Sequence, residues 1–169
     1  MELLTKASYS GEVSEREKRN LEVAYRAACE SMVLLKNEGV LPLKAKKVAL
    51  YGPGVSRTIK GGTGSGEVNE RHSVTILEGM ENRGFEVATK QWIKDYEDAY
   101  EEGEIAHKKA QRDIIKLIKS KSFMEMMLKG YTPPAGRAIT EMDIADSETD
   151  TAIYVLSRQA GEGGDRKAE

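Results

Sequence analysis

The chain has 169 residues, of which 26 are basic and 28 acidic, and its net charge is −2. No basic block favours a nucleic-acid partner, and no apolar stretch is long enough to span a membrane. The single cysteine, Cys29, excludes an internal disulfide, and the two histidines lie too far apart in sequence to suggest a metal site. We expect a cytoplasmic protein, because the N-terminus lacks a secretory signal, with Cys29 as a small buried residue.

The first predicted element is a helix that follows an N-terminal arm of residues 1–13. Ser14 and Glu17 have the spacing of a capping box, and the helical pattern continues to about Lys36. Asn37 to Gly39 then carries a C-cap signal. One face of this helix is apolar and is expected to pack on a core; it contains Leu21, Ala24, Tyr25, Ala28, Met32 and Leu35.

Residues 47–88 predict a β-loop-α-β unit. A short strand at 47–51 precedes a long glycine-rich loop at 52–69. Ser73 is expected to cap a helix through about Arg83, with Val74, Leu77 and Met80 inward. A second short strand at 85–88 completes the unit, which should cross over right-handed.

Residues 91–129 are rich in Glu, Lys, Ala and Met and predict one or two long helices. We interpret this stretch as a helical insertion that projects from the sheet or docks a partner, with a patchy apolar face that includes Tyr96 and Tyr100. A loop and a short helical turn starting at Thr140 follow. Residues 152–156 then predict a buried strand, which enters a loop with three glycines around Glu162.

Two loops carry candidate functional residues. The glycines at 61–66 follow a strand and precede a helix, but their spacing fits neither the P-loop nor the dinucleotide fingerprint. The alternatives are a structural loop or a loop lining a neutral ligand site, with Ser65 as its polar group. Glu162 is either a surface glutamate or a general acid/base at the carboxyl end of a strand. Glycoside hydrolysis would need a second carboxylate, which this chain does not plainly supply.

Four stretches in order resemble the α/β-sandwich domain of family 3 glycoside hydrolases, the β-glucosidase group. They cover roughly half to two-thirds of the chain, and the helical stretch 91–129 is the least diagnostic part. The stretches are residues 27–43, Lys47-Val-Ala-Leu-Tyr-Gly-Pro-Gly54, Ile59-Lys-Gly-Gly-Thr-Gly-Ser-Gly-Glu-Val-Asn69 and Tyr154-Val-Leu-Ser-Arg-Gln-Ala-Gly-Glu-Gly-Gly-Asp-Arg166.

The resemblance implies a mostly parallel sheet sandwiched by helices, in a single partial domain over residues 1–169. It implies that Glu162 is the acid/base, that Ser65 contacts the sugar, and that the chemistry needs no cofactor or metal. The aspartate nucleophile would lie on a (β/α)8 barrel. Because the sandwich sequence begins close to Met1, that barrel is expected downstream, as in bacterial members with swapped domain order.

The expected function is therefore hydrolysis of terminal β-D-glucosyl residues by a longer retaining enzyme. This chain is expected to be one domain of that enzyme and to be inactive alone. A non-catalytic sugar-binding or assembly module is the alternative, and a nucleotide-binding protein using the glycine loop is a third hypothesis. With only three predicted strands, the sheet could also expose an edge that pairs with another copy.

Overall fold

A computed structural model describes residues 11–61, 71–115 and 131–159. The chain divides into two compact units, Met1–Leu43 and Lys44–Glu169. In the part of the chain that the model describes, no helix is long and apolar enough to cross a membrane.

The first unit contains helix α1, Glu15–Ser31. Its N-terminus has the predicted capping box: the Glu17 N–H donates to Ser14 Oγ at 3.3 Å, and the Ser14 N–H donates to Glu17 Oε2 at 2.8 Å. These bonds satisfy backbone N–H groups that the first turn leaves without helical partners.

Three predictions about this helix were wrong. It ends at Ser31 with an extended Met32, short of the predicted Lys36. Asn37 belongs to a separate turn, in which its Oδ1 accepts the N–H groups of Gly39 and Leu41, each at 3.1 Å. The predicted core face is also exposed, including 66% of Leu21 and 91% of Leu35. Cys29 is likewise exposed rather than buried.

The second unit is built on a parallel sheet with strand order β2-β1-β3. Its strands are β1 (Lys47–Tyr51), β2 (Glu86–Val87) and β3 (Ala152–Tyr154). Strand β1 lies in the centre, where Val48 faces Val87 and Leu50 faces Ile153 in register. This confirms the α/β class with a mostly parallel sheet. The central strand is buried because neighbours cover both its edges and helices pack against it.

Three helices of this unit lie in the described ranges: α2 (Ile76–Asn82), α3 (Lys90–Ile115) and α4 (Glu141–Ser147). Thr140 caps α4 close to its predicted start. For α2 the N-cap is Thr75 rather than Ser73, because only Thr75 has a glutamate three residues later to complete a capping box with Glu78. Val74 consequently lies outside the helix and is exposed.

The core lies between β1 and the first turns of α3. Trp92, Ile93 and Tyr96 of α3 are each at most 5% exposed. Among the described residues, the other buried apolar positions are Val48, Ala49, Leu50, Tyr51, Val55 and Val87. The long helix predicted at 91–129 is thus present in its described part, and its N-terminal turns form part of the core. Sequence periodicity assigned Tyr96 to an apolar face but did not include Trp92 or Ile93.

Strand β3 is less buried than its sequence indicated. Ala152 and Tyr154 are exposed and Ile153 is only partly buried. Among the described residues β3 pairs only with β1, so it is an edge strand and does not receive the cover that a central strand has.

Beyond the short β2 strand, a side chain continues the hydrogen bonding of β1. Thr89 Oγ1 donates to the carbonyl of Leu50 at 2.6 Å and accepts its N–H at 2.9 Å. Because Leu50 is fully buried, its two backbone groups have no access to water. Thr89 therefore satisfies two polar groups whose desolvation would otherwise destabilise the fold.

Thr89→Val, which keeps the side-chain shape and removes the hydroxyl, is expected to lower the free energy of unfolding by about 1–3 kcal/mol or more. Urea unfolding measures this difference. Thr89→Ser is the matched control, since it retains the hydroxyl and loses one methyl group at a smaller cost. Equal stability of the two variants would show that the hydrogen bonds of the Thr89 hydroxyl do not contribute to stability.

Arg137 joins α3 to the start of α4. Its guanidinium donates two bonds of 2.7 Å to the Asp143 carboxylate and one of 2.9 Å to Asp95. The bonds from Arg137, and those from Thr140, hold the pKa of Asp143 well below its ordinary value. The same two carboxylates raise the pKa of Arg137.

Because the folded state lowers the pKa of Asp143, this contact stabilises the protein fully above the unfolded-state pKa, about 3.9, and less as the pH falls below it. We expect Asp143→Asn to lower the Tm at pH 7 and to differ less from the parent near pH 2.5, where part of the contribution of the ionised carboxylate is already lost. Thermal unfolding across this range measures the gap. A gap that stays constant with pH would contradict an ionic origin.

Candidate functional site at the carboxyl edge of the sheet

The ends of β1 and β3 meet at one edge of the sheet through a close backbone approach. The Val155 N–H donates to the Tyr51 carbonyl at 2.8 Å, and the Gly54 N–H donates to the Val155 carbonyl at 3.3 Å. Gly52 has φ +99°, and a Cβ there would overlap the Val155 carbonyl oxygen. Glycine is thus required at position 52 by backbone contact as well as by conformation.

The start of the glycine-rich loop is also fixed to α2. The Thr58 hydroxyl donates to the Gly54 carbonyl at 2.8 Å and accepts the Ile76 N–H at 3.0 Å. The Leu77 N–H donates to the Val55 carbonyl at 3.0 Å. The Thr58 hydroxyl thereby accepts a hydrogen bond from a first-turn N–H that has no partner within the helix.

A third set of contacts ties this loop to α3. Glu97 accepts a hydrogen bond from Ser56 Oγ and one of 3.1 Å from Arg57 Nε, and its other oxygen lies 2.5 Å from an Arg57 Nη. The Arg57 guanidinium also lies 4.2 Å from the centre of the Tyr100 ring. Partial burial disfavours the charged guanidinium, but Glu97 outweighs this effect and leaves the pKa of Arg57 raised.

The segments after β1 and after β3 converge at a cleft of about 190 Å³. Further along the same two segments, the Gln159 side-chain amide donates to the Gly61 carbonyl at 3.3 Å. The cleft is lined by Gly54, Thr58, Ile59, Ile76, Val155, Leu156, Ser157 and Arg158. This lining offers hydroxyl groups and a guanidinium but no carboxylate or imidazole, so an acid/base for this cleft would have to come from other residues.

Both candidate residues from the sequence, Ser65 and Glu162, lie outside the described residues. The nearest described positions before them are Gly61 and Gln159. Within the described ranges, no group of three or more His, Cys, Asp or Glu residues could hold a metal ion.

Sequence reasoning did not identify the contacts that fix this edge. Ser56 and Arg57 lie inside the glycine-rich loop, but their partner Glu97 is about forty residues further on, among many glutamates of similar appearance. No spacing rule connects them. The Gln159 contact with Gly61 spans an even longer separation.

The fold is a parallel α/β domain, and its cleft lies at the carboxyl ends of its strands, the usual place for function in this class. Comparison with known proteins then gives the family. Residues 32–168 match the glycosyl hydrolase family 3 C-terminal domain. The chain belongs to glycoside hydrolase family 3.

Individual relatives agree with this assignment. The chain is 34% identical to beta-glucosidase A of Butyrivibrio fibrisolvens, over 94% of its own length and 17% of the relative's. A structure of beta-glucosidase 3B from Thermotoga neapolitana in complex with alpha-D-glucose is similar with a TM-score of 0.61 at 34% identity, over 91% of this chain and 20% of that one. A second structure of that protein, in complex with glucose, gives a TM-score of 0.57. The chain therefore spans about a fifth of the length of these relatives.

Proposed function

We propose that this chain is the sandwich domain of a longer retaining β-glucosidase that hydrolyses terminal β-D-glucosyl residues. In this proposal Glu162 is the general acid/base and Ser65 contacts the sugar. A barrel domain of the same polypeptide supplies the nucleophile. The relatives support the substrate class, since both are β-glucosidases and one binds glucose.

The observation that carries the proposal is the hydrogen bond between Gln159 and Gly61. Glu162 follows Gln159 by three residues, and Ser65 follows Gly61 by four. Because consecutive Cα atoms are 3.8 Å apart, three or four residues reach no further than about 11–15 Å. The two candidate segments therefore start close enough together to serve one site.

The proposed chemistry needs a second carboxylate about 5–5.5 Å from the first. Glu162 would protonate the leaving oxygen while the barrel nucleophile attacks the anomeric carbon. It would then take a proton from the water that releases the sugar. Since the described cleft has no carboxylate in its lining, we expect the 169-residue chain alone to be inactive.

The test is hydrolysis of p-nitrophenyl β-glucoside by the 169-residue chain and by the full reading frame that contains it. We expect turnover only in the longer protein. Enzyme-like turnover by the short chain would contradict the two-domain mechanism. Binding of glucose by the longer protein without turnover of any aryl glycoside would instead favour a non-catalytic sugar-binding module.

A further inference from the structure

The outer edge of strand β3 carries backbone groups without partners in the described ranges. On the inner edge, the Val155 N–H donates to the Tyr51 carbonyl at 2.8 Å. Because successive residues of a strand direct their backbone groups to opposite edges, the N–H and C=O groups of Ala152 and Tyr154 point away from β1. Among the described residues these groups make no hydrogen bond, since β3 pairs with β1 alone. They are therefore available to a further strand.

The two edges of the sheet differ in their protection. Strand β2 has only two residues, and the first of them, Glu86, is exposed and charged. The stretch from Thr151 to Ser157, which contains β3, has neither a charge nor a proline. Short length, charged side chains and prolines are features that keep natural edge strands from pairing. The β3 edge has fewer of these protections and is the one suited to accept a strand.

A second copy of the chain fits this edge poorly. Stable interfaces between proteins bury about 1,200–2,000 Å² in total, and pairing through the three residues of β3 covers only a small part of that area. Association also costs translational and rotational freedom, which a few hydrogen bonds do not offset. A strand of the same polypeptide avoids most of this cost, because its connection to the domain keeps it close to the edge.

The relatives indicate where such a strand would come from. Residues 32–168, which include β3, match the glycosyl hydrolase family 3 C-terminal domain. The chain nevertheless spans only 17–20% of the length of its matched relatives. Most of the polypeptide in those proteins therefore lies outside the matched region and is long enough to supply a further strand.

We propose that a β-strand of the longer protein, from outside residues 1–169, pairs with the outer edge of β3 and bonds to the backbone of Ala152 and Tyr154. The added strand follows β3 in the sheet order, and β3 becomes an inner strand. The inference rests on the proposed function only in taking the chain as one domain of a longer polypeptide. It makes no use of the catalytic assignments.

Amide hydrogen exchange in the longer protein, resolved to single residues, tests the pairing. We expect the Ala152 and Tyr154 amides to exchange about a hundredfold or more slowly than open amides, because a paired amide exchanges only when its strand opens. The Val155 amide, which bonds to β1, is the internal control in the same strand. Fast exchange at the two outer positions beside slow exchange at Val155 would overturn the proposal.

Two variants of the longer protein separate the backbone contact from the side chain. Tyr154→Pro removes the outward N–H, a change that an open edge tolerates and a paired edge does not. Tyr154→Ala is the matched control, since it shortens the side chain and keeps the N–H. We expect the proline variant to have a Tm about 2–4 °C or more below that of the alanine variant. Equal Tm values would contradict a paired edge.

A photo-crosslinking side chain at position 154, where the tyrosine is 52% exposed, identifies the partner strand. In the longer protein we expect a link within one molecule to a peptide outside residues 1–169. A link to residues 1–169, within one molecule or between two copies, or no link at all, would overturn the proposal. Protected amides in a protein without glycosidase activity would contradict the proposed function alone, whereas open amides in an active enzyme would overturn this inference alone.

Discussion

Replacement of Glu162 by alanine in the longer protein is expected to lower kcat on an aryl β-glucoside by about 10²–10⁴-fold, the usual contribution of a general acid/base. The loss should be smaller for substrates whose leaving group is already acidic, because they need less protonation. Azide should restore part of the activity, since it can attack the glycosyl-enzyme without a general base. The measurement is kcat with and without azide across a leaving-group series.

Glu102→Ala is the control for this experiment, since Glu102 is an exposed glutamate on α3 away from the cleft. It should retain parental activity. If the Glu162 variant also retained full activity, the acid/base would lie elsewhere and the glycine-flanked loop would be a structural feature. A loss without any azide rescue or leaving-group dependence would indicate damage to the fold.

Gly52→Ala is expected to lower the free energy of unfolding by about 3 kcal/mol or more. A non-glycine residue at φ +99° costs about 1–3 kcal/mol by itself. The added Cβ would also overlap the Val155 carbonyl oxygen, which can move only if the end of β3 separates from the loop. Denaturant unfolding measures the stability, and the Gln159 to Gly61 contact should weaken in parallel.

The variant Gly84→Ala separates the cost of a positive φ from the cost of steric overlap. Gly84 has φ +78°, but a Cβ there meets nothing within 4 Å, so this variant carries the conformational cost alone. We expect Gly84→Ala to lower the free energy of unfolding by about 1–2 kcal/mol. Equal losses for the two variants would show that the close approach between the loop and β3 contributes nothing to stability.

Sequence patterns predicted those helix starts and strands that depend on only a few neighbouring residues. A short apolar run placed β1 at its observed bounds, and the Ser14 cap was confirmed because a capping box involves only four consecutive residues. The helical turn predicted from Thr140 is also present. The same rule would have found Thr75, whose glutamate partner was overlooked in favour of Ser73. Four motifs in order were also enough to identify the family.

Burial was predicted less well, because it depends on what covers a surface. An apolar face on α1 indicated a core contact, yet its side chains are exposed. Strand β3 was expected to be buried, but among the described residues it pairs only with β1 and lacks a neighbour on its other side. Trp92 and Ile93, within a largely charged helix, are core residues because α3 begins directly against β1.

By itself the sequence determined the α/β class, the parallel strands, the N-cap of α1 and the family, since these follow from spacing within short stretches. Only the tertiary structure decided which loops share an edge and what holds them there. The Arg57 contact with Glu97 and the Gln159 contact with Gly61 join residues about forty and ninety-eight positions apart. Such pairs are selected by the packing of the sheet against α3, and no local pattern in the chain records that packing.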